Sequence, residues 1–201
     1  MENESINELD IYDFDHTLVP FDSGTRFIIY CYVHYPWCLL NLPVIAVGGI
    51  MLITKLISFT TFKQSCFSFM RLLPRERAIK GFWDKYAPRA YPWFKERERD
   101  CVIVSASPDF LLNEAKERLG FDRLICTRHN AKTGKILGEN CRDEEKVRRL
   151  KEEFPDAKII DVYSDSYTHD RPIFSLATGK TVHIEKGKRV EFDYKKVYGE
   201  K

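Results

Sequence analysis

Three short apolar stretches of this chain each end in a cluster of carboxylates or hydroxyls. The clusters contain Asp13, Ser105 and Asp165, and helical patterns lie between them along the chain. Apolar stretches of this length, two of them followed by a helical pattern, are typical of strands in a parallel α/β sheet. Ligands of such sheets bind at the carboxyl ends of the strands. We therefore predict an α/β fold in which the three clusters meet at one edge of the sheet.

The first cluster places two carboxylates, Asp13 and Asp15, two residues apart. Residues i and i+2 of an extended chain point the same way, so both carboxylates can face one pocket. Two carboxylates held close together resist simultaneous ionisation unless a cation lies between them or one keeps its proton. Either case suits catalysis by one Asp as nucleophile and the other as general acid and base, beside a divalent metal. The alternative interpretation of these residues alone is a strand that ends in a polar turn.

Composition argues against several classes of function. The chain has 32 basic and 30 acidic residues, and this balance gives no reason to expect a nucleic-acid partner. Its six cysteines include no Cys-x-x-Cys pair, so neither a zinc site nor a redox motif is indicated, and reduced thiols in a cytosolic setting fit them best. The first ten residues hold four acidic side chains and no basic one, unlike a secretory signal. We therefore expect a cytoplasmic protein.

A stretch without any Asp, Glu, Lys or Arg runs from Phe27 to Thr54. It is long enough for a transmembrane helix, but prolines and a Gly-Gly pair interrupt it and favour two or three short helical pieces. Asp13 precedes it and Ser105 follows it, so a single crossing would separate residues that must meet. Two interpretations stay open: a kinked hairpin buried in the protein, or one that dips into one membrane leaflet. The basic residues expected near anionic headgroups in the second case are Lys55, Lys63 and Arg71.

Four short motifs occur in order along the chain. They are Asp13-Phe14-Asp15-His16-Thr17, Val104-Ser105, Lys146, and Ser164-Asp165 with Asp170. Two acids, a hydroxyl, a lysine and two further acids are the groups that phosphoryl transfer through an aspartyl phosphate requires. In these motifs and their order the chain resembles the haloacid dehalogenase superfamily of phosphohydrolases. The resemblance implies a Rossmann-like parallel sheet with an inserted helical cap domain, in which residues 1–21 and 100–201 form the catalytic core and residues 22–99 form the cap.

The resemblance also implies a role for each motif residue. Asp13 would attack phosphorus, and Asp15 would protonate the leaving group and then activate water. Ser105 and Ala106 would bind the substrate phosphate, and Lys146 would neutralise both the nucleophile and the phosphate. The residues expected to hold the Mg²⁺ cofactor are Asp13, Asp15, Asp165 and Asp170.

The motifs depart from the family pattern at two points. His16 stands where glycine is frequent, which is expected to restrict the loop. Asp165 and Asp170 are separated by one residue more than in the commonest form. Beside these motifs, Ser107 is interpreted as a helix cap before Pro108 rather than as a ligand.

The cap and the Ser164-Asp165-Ser166 cluster resemble the phosphoserine-phosphatase branch of the superfamily. Four pieces resemble more specifically the members that act on the membrane lipid phosphatidylglycerophosphate, and they are Leu42–Ile45, Ser105–Pro108, Glu145–Val147 and Tyr163–Ser166. This implies a lipid phosphate as substrate and a peripheral place at the inner face of a membrane. The alternatives are a phosphatase of a small soluble phosphomonoester such as phosphoserine, a phosphotransferase of the same fold, and a catalytically silent module that binds a membrane surface. The residues do not indicate an oligomeric state.

Overall fold

A computed structural model describes residues 8–199 of the chain. The first seven residues, which carry part of the acidic N-terminal pattern, lie outside this range. Six strands form one sheet in the order β3-β2-β1-β4-β5-β6. The strands are β1 Glu8–Tyr12, β2 Cys101–Pro108, β3 Arg123–Thr127, β4 Lys158–Ser164, β5 Thr181–Glu185 and β6 Lys188–Phe192. All neighbours are parallel except β5 and β6. The sheet confirms the predicted Rossmann-like α/β fold.

Helices connect the parallel strands, as the alternating pattern predicted. They are α1 Ser23–His34, α2 Leu42–Ile53, α3 Phe59–Cys66, α4 Arg75–Tyr86, α5 Asp109–Leu119, α6 Glu144–Glu153, α7 Arg171–Phe174 and α8 Tyr194–Tyr198. The helix α5 starts directly after β2 and ends at Gly120, whose φ of 70° lies in the left-handed region. Glycine adopts this conformation without the steric penalty of a side chain, so the local sequence sets the end of the helix.

The sequence of the C-terminal residues predicts one last strand, from Lys180 to Ile184, and then a basic, polar tail, and the prediction of a tail is wrong. The strand β6 instead returns antiparallel to β5, and α8 follows it. The two strands are joined by Lys186 and Gly187, both with positive φ. A two-residue turn with two positive φ values matches the twist of a β-hairpin. The single glycine in a charged stretch was the signal for this turn.

Most of the chain between β1 and β2, residues 22–99, forms a helical insertion that contains α1 to α4. Four 3₁₀ helices join or extend these helices, and they are Pro36–Asn41, Ser68–Leu72, Ala87–Arg89 and Pro92–Glu96. The uncharged stretch lies in α1, the first 3₁₀ helix and α2. It is therefore divided into three helical pieces, as its prolines predicted.

The two faces of the sheet carry separate apolar clusters. One cluster contains Leu9, Val104 and Val162, with α6 and α7 packed over it, and the other contains Phe14 and Ile103 together with the insertion and α5. The insertion is tied to α5 by a hydrogen bond of 2.8 Å from Nε1 of Trp83 to the carbonyl oxygen of Leu111. The insertion is thereby held beside the carboxyl ends of β1 and β2.

The run of charged residues from Lys95 to Asp100 predicts a solvated helix end, and the structure corrects this prediction. Only the first two belong to the 3₁₀ helix that ends at Glu96. The Arg99 guanidinium instead pairs with two buried carboxylates, those of Asp10 in β1 and Asp161 in β4. A buried carboxylate needs a cation or several hydrogen bonds, and this requirement arises only when the sheet is assembled.

Candidate active site

Asp13 follows β1 directly and is buried at the centre of the sheet edge. Its backbone N–H donates to the carbonyl oxygen of Tyr163, which fixes the loop against β4. Oδ1 of Asp13 accepts a hydrogen bond of 2.6 Å from Nζ of Lys146, and the same Nζ lies 2.7 Å from Oδ1 of Asp170. Ser164 donates to the other carboxylate oxygen of Asp170. One lysine of α6 thus bridges carboxylates from two strand ends.

Asp15 has a different set of neighbours from Asp13. Its Oδ1 accepts from the backbone N–H of Ser23 at 2.8 Å, and its Oδ2 accepts from the Ser107 hydroxyl. The Ser107 hydroxyl also accepts from the hydroxyl of Ser23 at 2.9 Å. Both partners stand at the junction of the sheet and the insertion, because Ser23 begins α1 and Ser107 lies near the end of β2. The carboxylates of Asp13 and Asp15 therefore line one cavity with different partners.

The interpretation of Ser107 as a helix cap was wrong. The helix α5 has no side-chain cap at its N-terminus, and the Ser107 hydroxyl is engaged with Asp15 instead. The predicted phosphate-binding hydroxyl of Ser105 accepts from the backbone N–H of Ser107 at 3.1 Å. The neighbouring Ala106 directs its carbonyl oxygen to the hydroxyl of Thr127, 2.7 Å away. This network holds the end of β2 in a bent path next to Asp15.

Every predicted site residue lines one cavity of about 510 Å³. They are Asp13, Asp15, Ser105, Ala106, Lys146, Asp165 and Asp170. Asp165 is held at the cavity by a hydrogen bond from its backbone N–H to the hydroxyl of Thr17, 3.0 Å long. Thr17 also donates to Oδ2 of Asp13, at 3.4 Å. The last residue of the first motif thus connects the first and fourth motifs.

The insertion supplies the remaining wall of this cavity, and its contribution was not predicted. Its apolar part is made by Ile28, Phe59, Phe62, Cys66 and Phe67. Its charged part is Lys63, whose Nζ donates to the Ala106 carbonyl oxygen at 2.6 Å and to Oδ1 of Asn140 at 2.8 Å. Lys63 was expected near membrane headgroups, so the structure corrects that expectation. In sequence Lys63 is one basic residue in a helical pattern, with no signal for its direction.

Burial changes the protonation of the cavity residues. It raises the pKa of Asp13 above its ordinary value, an effect that Lys146 opposes and Asp170 reinforces. Burial also raises the pKa of Asp15 to about 6, although the hydrogen bonds from Ser107 and Ser23 counteract this. For Lys146 burial lowers the pKa, but the adjoining Asp13 and Asp170 carboxylates outweigh it and leave the pKa above its usual range. The cavity therefore disfavours the ionised forms of its carboxylates unless a further cation is bound.

The carboxylates suit a magnesium ion in their chemistry. Their oxygens are the hard ligands that Mg²⁺ prefers, and burial raises the pKa of Asp165 as well as that of Asp13. Within residues 8–199, three or more His, Cys, Asp or Glu side chains nowhere form a ready-made metal cluster. Mg²⁺ needs only one or two carboxylates, because it keeps several water ligands.

Asp165 and Oδ2 of Asp13 fit this need best. The Asp13 oxygen has only the long contact of 3.4 Å from Thr17. Both oxygens of Asp15 and of Asp170 have closer partners, which a metal ion would have to displace.

Comparison with known proteins finds one matching family model and a curated relative. The family model described as haloacid dehalogenase-like hydrolase matches residues 11–175. Protein CicA of Caulobacter vibrioides is 41% identical over 127 residues, which cover 56% of this chain and 57% of that protein. The chain thus matches little more than half the length of this curated relative.

Solved structures share the fold at low sequence identity. A protein of unknown function from Bordetella pertussis Tohama I has a TM-score of 0.70 and 18% identity, and the match covers 89% of this chain and 90% of that one. A phosphoserine phosphatase, solved as a phospho-aspartyl intermediate analogue, has a TM-score of 0.55 and 21% identity, with 89% and 86% covered. These similarities agree with the family match in fold.

Proposed function

Because this chain belongs to the haloacid dehalogenase-like hydrolase family, we propose that it is a Mg²⁺-dependent phosphatase that works through an aspartyl phosphate on Asp13. The observation that carries this proposal is the contact of Lys146 with both Asp13 and Asp170 in a buried cavity. A lysine so placed opposes the effect of burial on the pKa of the Asp13 carboxyl, and it offsets the charge of an incoming phosphate dianion. The phosphoserine phosphatase of the same fold, solved as an analogue of such an intermediate, supports this choice.

The proposed chemistry divides between the two differently placed aspartates. The Asp13 carboxylate attacks phosphorus and forms an acyl phosphate as the bond to the leaving oxygen breaks. Asp15, whose pKa is raised to about 6 by burial, gives its proton to the leaving oxygen. The resulting Asp15 carboxylate then takes a proton from the water that attacks the acyl phosphate, which releases phosphate and restores Asp13. Ser23 and Ser107 orient Asp15 through both steps.

The other cavity groups bind rather than react. The Ser105 hydroxyl and the backbone of Ala106 are proposed to hold phosphoryl oxygens, and Lys146 offsets their charge. Asp13 and Asp165 would hold Mg²⁺, which supplies positive charge to the phosphoryl oxygens when bound. The insertion, residues 22–99, serves as the cap that covers the reacting groups. Exclusion of water by a cap strengthens each of these electrostatic interactions.

Substitution of the nucleophile tests the proposal. We expect Asp13→Asn to retain the fold and to hydrolyse 4-nitrophenyl phosphate at less than about 1% of the wild-type rate, because an amide does not form the acyl phosphate. Steady-state rates with and without Mg²⁺ check this, with intact mass confirming that the introduced amide has not deamidated. Wild-type turnover that does not depend on Mg²⁺, or an active Asp13→Asn protein, would contradict the mechanism.

A second metal-directed variant separates the ion from the nucleophile. Asp165→Ala removes a hard oxygen ligand while leaving Asp13 and Lys146 in place. We expect the Mg²⁺ concentration for half-maximal activity to rise, by about tenfold or more. Activity titrated against Mg²⁺ measures this. An unchanged titration curve would show that Asp165 is not a ligand.

A lipid phosphate is the substrate that the surface of the insertion favours. Twelve of the seventeen exposed large apolar side chains of the described residues lie between Ile29 and Phe59, and we call this surface the apolar face. They are Ile29, Val33, Trp37, Leu39, Leu40, Leu42, Val44, Val47, Ile50, Ile53, Leu56 and Phe59. Phe59 belongs both to this face and to the wall of the cavity. The cavity therefore opens beside an apolar surface that could receive an acyl chain.

The stretch Pro36–Ile53 meets the length and composition of a membrane-crossing helix, but only 17% of it is buried. The expectation that it packs inside the protein therefore does not hold for α2, where Gly48 is the only buried residue. Crossing would separate Asp13 from Ser105, which line one cavity. We propose that the apolar face lies in one membrane leaflet.

Charge complementarity favours a membrane as the occupant of this face. No Asp or Glu occurs from Ser23 to Arg75, whereas Lys55 and Arg71 are exposed there. Basic residues beside an apolar surface are attracted to anionic lipid headgroups. A phosphatidylglycerophosphate-like lipid would then be the substrate, and a soluble phosphomonoester such as phosphoserine is the alternative. Relative kcat/KM for lipid phosphate in vesicles and for phosphoserine decides between them.

A further inference from the structure

Lys63 is a half-buried cation that the proposed mechanism does not use. It lies on α3, on the side of the helix that faces the cavity, and the opposite side of α3 packs on α2 at Gly48. Its Nζ donates to two neutral acceptors, the Ala106 carbonyl oxygen and Oδ1 of Asn140. The Thr127 hydroxyl, a single donor, also lies within hydrogen-bond distance of both acceptors, at 2.7 Å and 2.9 Å. Lys63 thus links the insertion to the end of β2, as the hydrogen bond from Ser23 to Ser107 also does.

The charge of Lys63 is not neutralised by its direct partners. Within residues 8–199, no carboxylate lies within ion-pairing distance of its Nζ, although Asp15 and Asp22 act on it from further away. An ammonium group has three N–H donors, and two of them are directed at the neutral acceptors. Withdrawing a cation from water without a counterion is unfavourable even when the burial is partial, and an anionic ligand would relieve this cost. The position beside Ser105 and Asp15 is where an anionic substrate would enter.

We propose that Lys63 binds an anionic oxygen of the substrate and so joins the insertion to the substrate when the cavity is loaded. This inference rests on the proposed phosphatase function. Lys63 would contact either the transferred phosphoryl group or a second anionic group of the substrate next to the leaving oxygen. In both cases its role is substrate binding, and its removal is expected to raise KM more than it lowers kcat.

The protonation of Lys63 gives the inference a distinctive signature. Burial lowers the pKa of Lys63 to about 8, so its positive charge is lost as pH rises through that value in the empty protein. The charged and titratable groups that face it are Asp15, Asp22, Arg142, Cys141 and His129. Lys63→Arg would keep its charge at all these pH values, because the pKa of arginine exceeds about 12. The variant should therefore retain anion affinity above pH 8 better than the wild type does.

Calorimetric titration with inorganic phosphate tests the inference in the full chain. We expect Lys63→Met to weaken phosphate binding by at least about tenfold, since it removes one charged hydrogen bond. The matched control is Lys80→Met, an exposed lysine on α4 of the same insertion, which should bind phosphate like the wild type. Lys63→Arg should restore binding and flatten its decline above about pH 8. Thermal unfolding of each variant identifies loss of fold, and Lys63→Arg decides alone if Lys63→Met does not fold.

Two substrates distinguish the two sources of the anion. Contact with the transferred group predicts weaker phosphate binding and a higher KM for 4-nitrophenyl phosphate in Lys63→Met. Phosphatidylglycerophosphate carries a phosphodiester as a second anionic group. Contact of Lys63 with that group predicts a higher KM only for this lipid, presented in mixed micelles. Unchanged phosphate affinity and unchanged KM for both substrates would overturn the inference. A wild-type protein that binds phosphate but hydrolyses neither substrate would refute the proposed function alone, because the phosphate titration would still report on Lys63.

Discussion

At the scale of single residues, the site depends on giving two nearby aspartates different environments. Asp13 meets an ammonium group at 2.6 Å, whereas Asp15 meets a backbone N–H and a hydroxyl. Lys146 lowers the pKa of Asp13 and so favours the ionised nucleophile, although burial leaves that pKa raised overall, whereas Asp15 has neutral donors and a raised pKa of the kind that a general acid needs. The roles that the motif resemblance implies for these residues stay predictions, and the geometry is consistent with them.

The loop residue His16, between Asp15 and Thr17, has a strained backbone conformation whose effect on stability can be tested. His16 has a φ of 57°, in the left-handed region where a glycine was expected from the family pattern. A residue with a Cβ atom is destabilised by about 1–2 kcal/mol in this conformation. Glycine avoids this penalty, but part of the benefit is offset because glycine loses more backbone conformational entropy on folding. We expect His16→Gly to raise the free energy of unfolding by about 0.5–1 kcal/mol.

Urea denaturation measures this change, and His16→Ala is the matched control because it removes the imidazole but keeps a Cβ atom. His16→Ala should show no gain in stability. If the two variants were equally stable, the loop would hold no strain that glycine relieves. The exposed position of His16 makes loss of packing a small contribution to either value.

At the scale of secondary-structure elements, an ion-pair network stabilises the part of the sheet that lies away from the cavity. Arg99 precedes β2 and pairs with Asp10 of β1 and Asp161 of β4. Asp10 also accepts from the backbone N–H of Asp161 at 3.1 Å, and Asp161 accepts from that of Lys180 at 2.7 Å. The network therefore connects three neighbouring strands on the side opposite the cavity.

Removal of this arginine should destabilise the fold in a pH-dependent way. Burial raises the pKa of Asp10, and Arg99 lowers it, so Arg99→Met should raise the pKa further. A carboxyl group with a raised pKa costs stability as pH rises through that pKa, because the folded state must then hold the charge. We expect Arg99→Met to cost about 1–3 kcal/mol near pH 8, since Arg99 itself is partly exposed, and less near pH 5.

Chemical denaturation at both pH values checks this expectation. The control is Arg148→Met on α6, an exposed arginine whose ion pairs are screened by solvent, so its loss should change stability little at either pH. An equal loss of stability for Arg99→Met at the two pH values would show that packing, rather than charge, is what Arg99 contributes.

At the scale of the whole molecule, α3 connects two different surfaces. Phe62 and Lys63 line the cavity, and Phe62 also packs against α2 near Gly48. The other side of α2 is exposed, with Ile53 83% and Ile50 63% accessible. A partner bound to the apolar face would therefore be one helix away from the reacting groups.

The membrane proposal predicts the effect of charges on the apolar face. We expect the double variant Ile50→Glu/Ile53→Glu to lose vesicle binding by at least about tenfold, because each change removes apolar contact and adds repulsion from anionic lipid. Activity on 4-nitrophenyl phosphate should stay unchanged, since neither residue lines the cavity. Flotation with vesicles of phosphatidylcholine and phosphatidylglycerol at physiological salt measures the binding.

The matched control for flotation is Val197→Glu, an exposed apolar residue on α8 outside the insertion. It should float with the vesicles like the wild type. Recovery of all wild-type protein in the soluble fraction, even with anionic lipid, would end the membrane interpretation and favour a soluble phosphomonoester as substrate.

The sequence alone determined the order of strands and helices that leads to the site. Apolar periodicity and the glycine after α5 act over a few residues, so they could be interpreted without the fold. The same locality explains why Asp13, Ser105 and Asp165 could be expected to meet, because each lies near the carboxyl end of a recognisable strand of a parallel sheet. Lys146 was expected there from the family resemblance.

Only the tertiary structure decided which side chains complete the site and which surface stays exposed. Ser23 and Lys63 have no distinguishing local pattern, and they reach Asp15 and the end of β2 because the insertion packs across that end. Asn140, which lies outside the insertion, lines the cavity beside Lys63. The helix α2 is apolar on every side, so its composition could not show whether protein covers it. Burial depends on contacts between elements distant in sequence, and those contacts are absent from any local pattern.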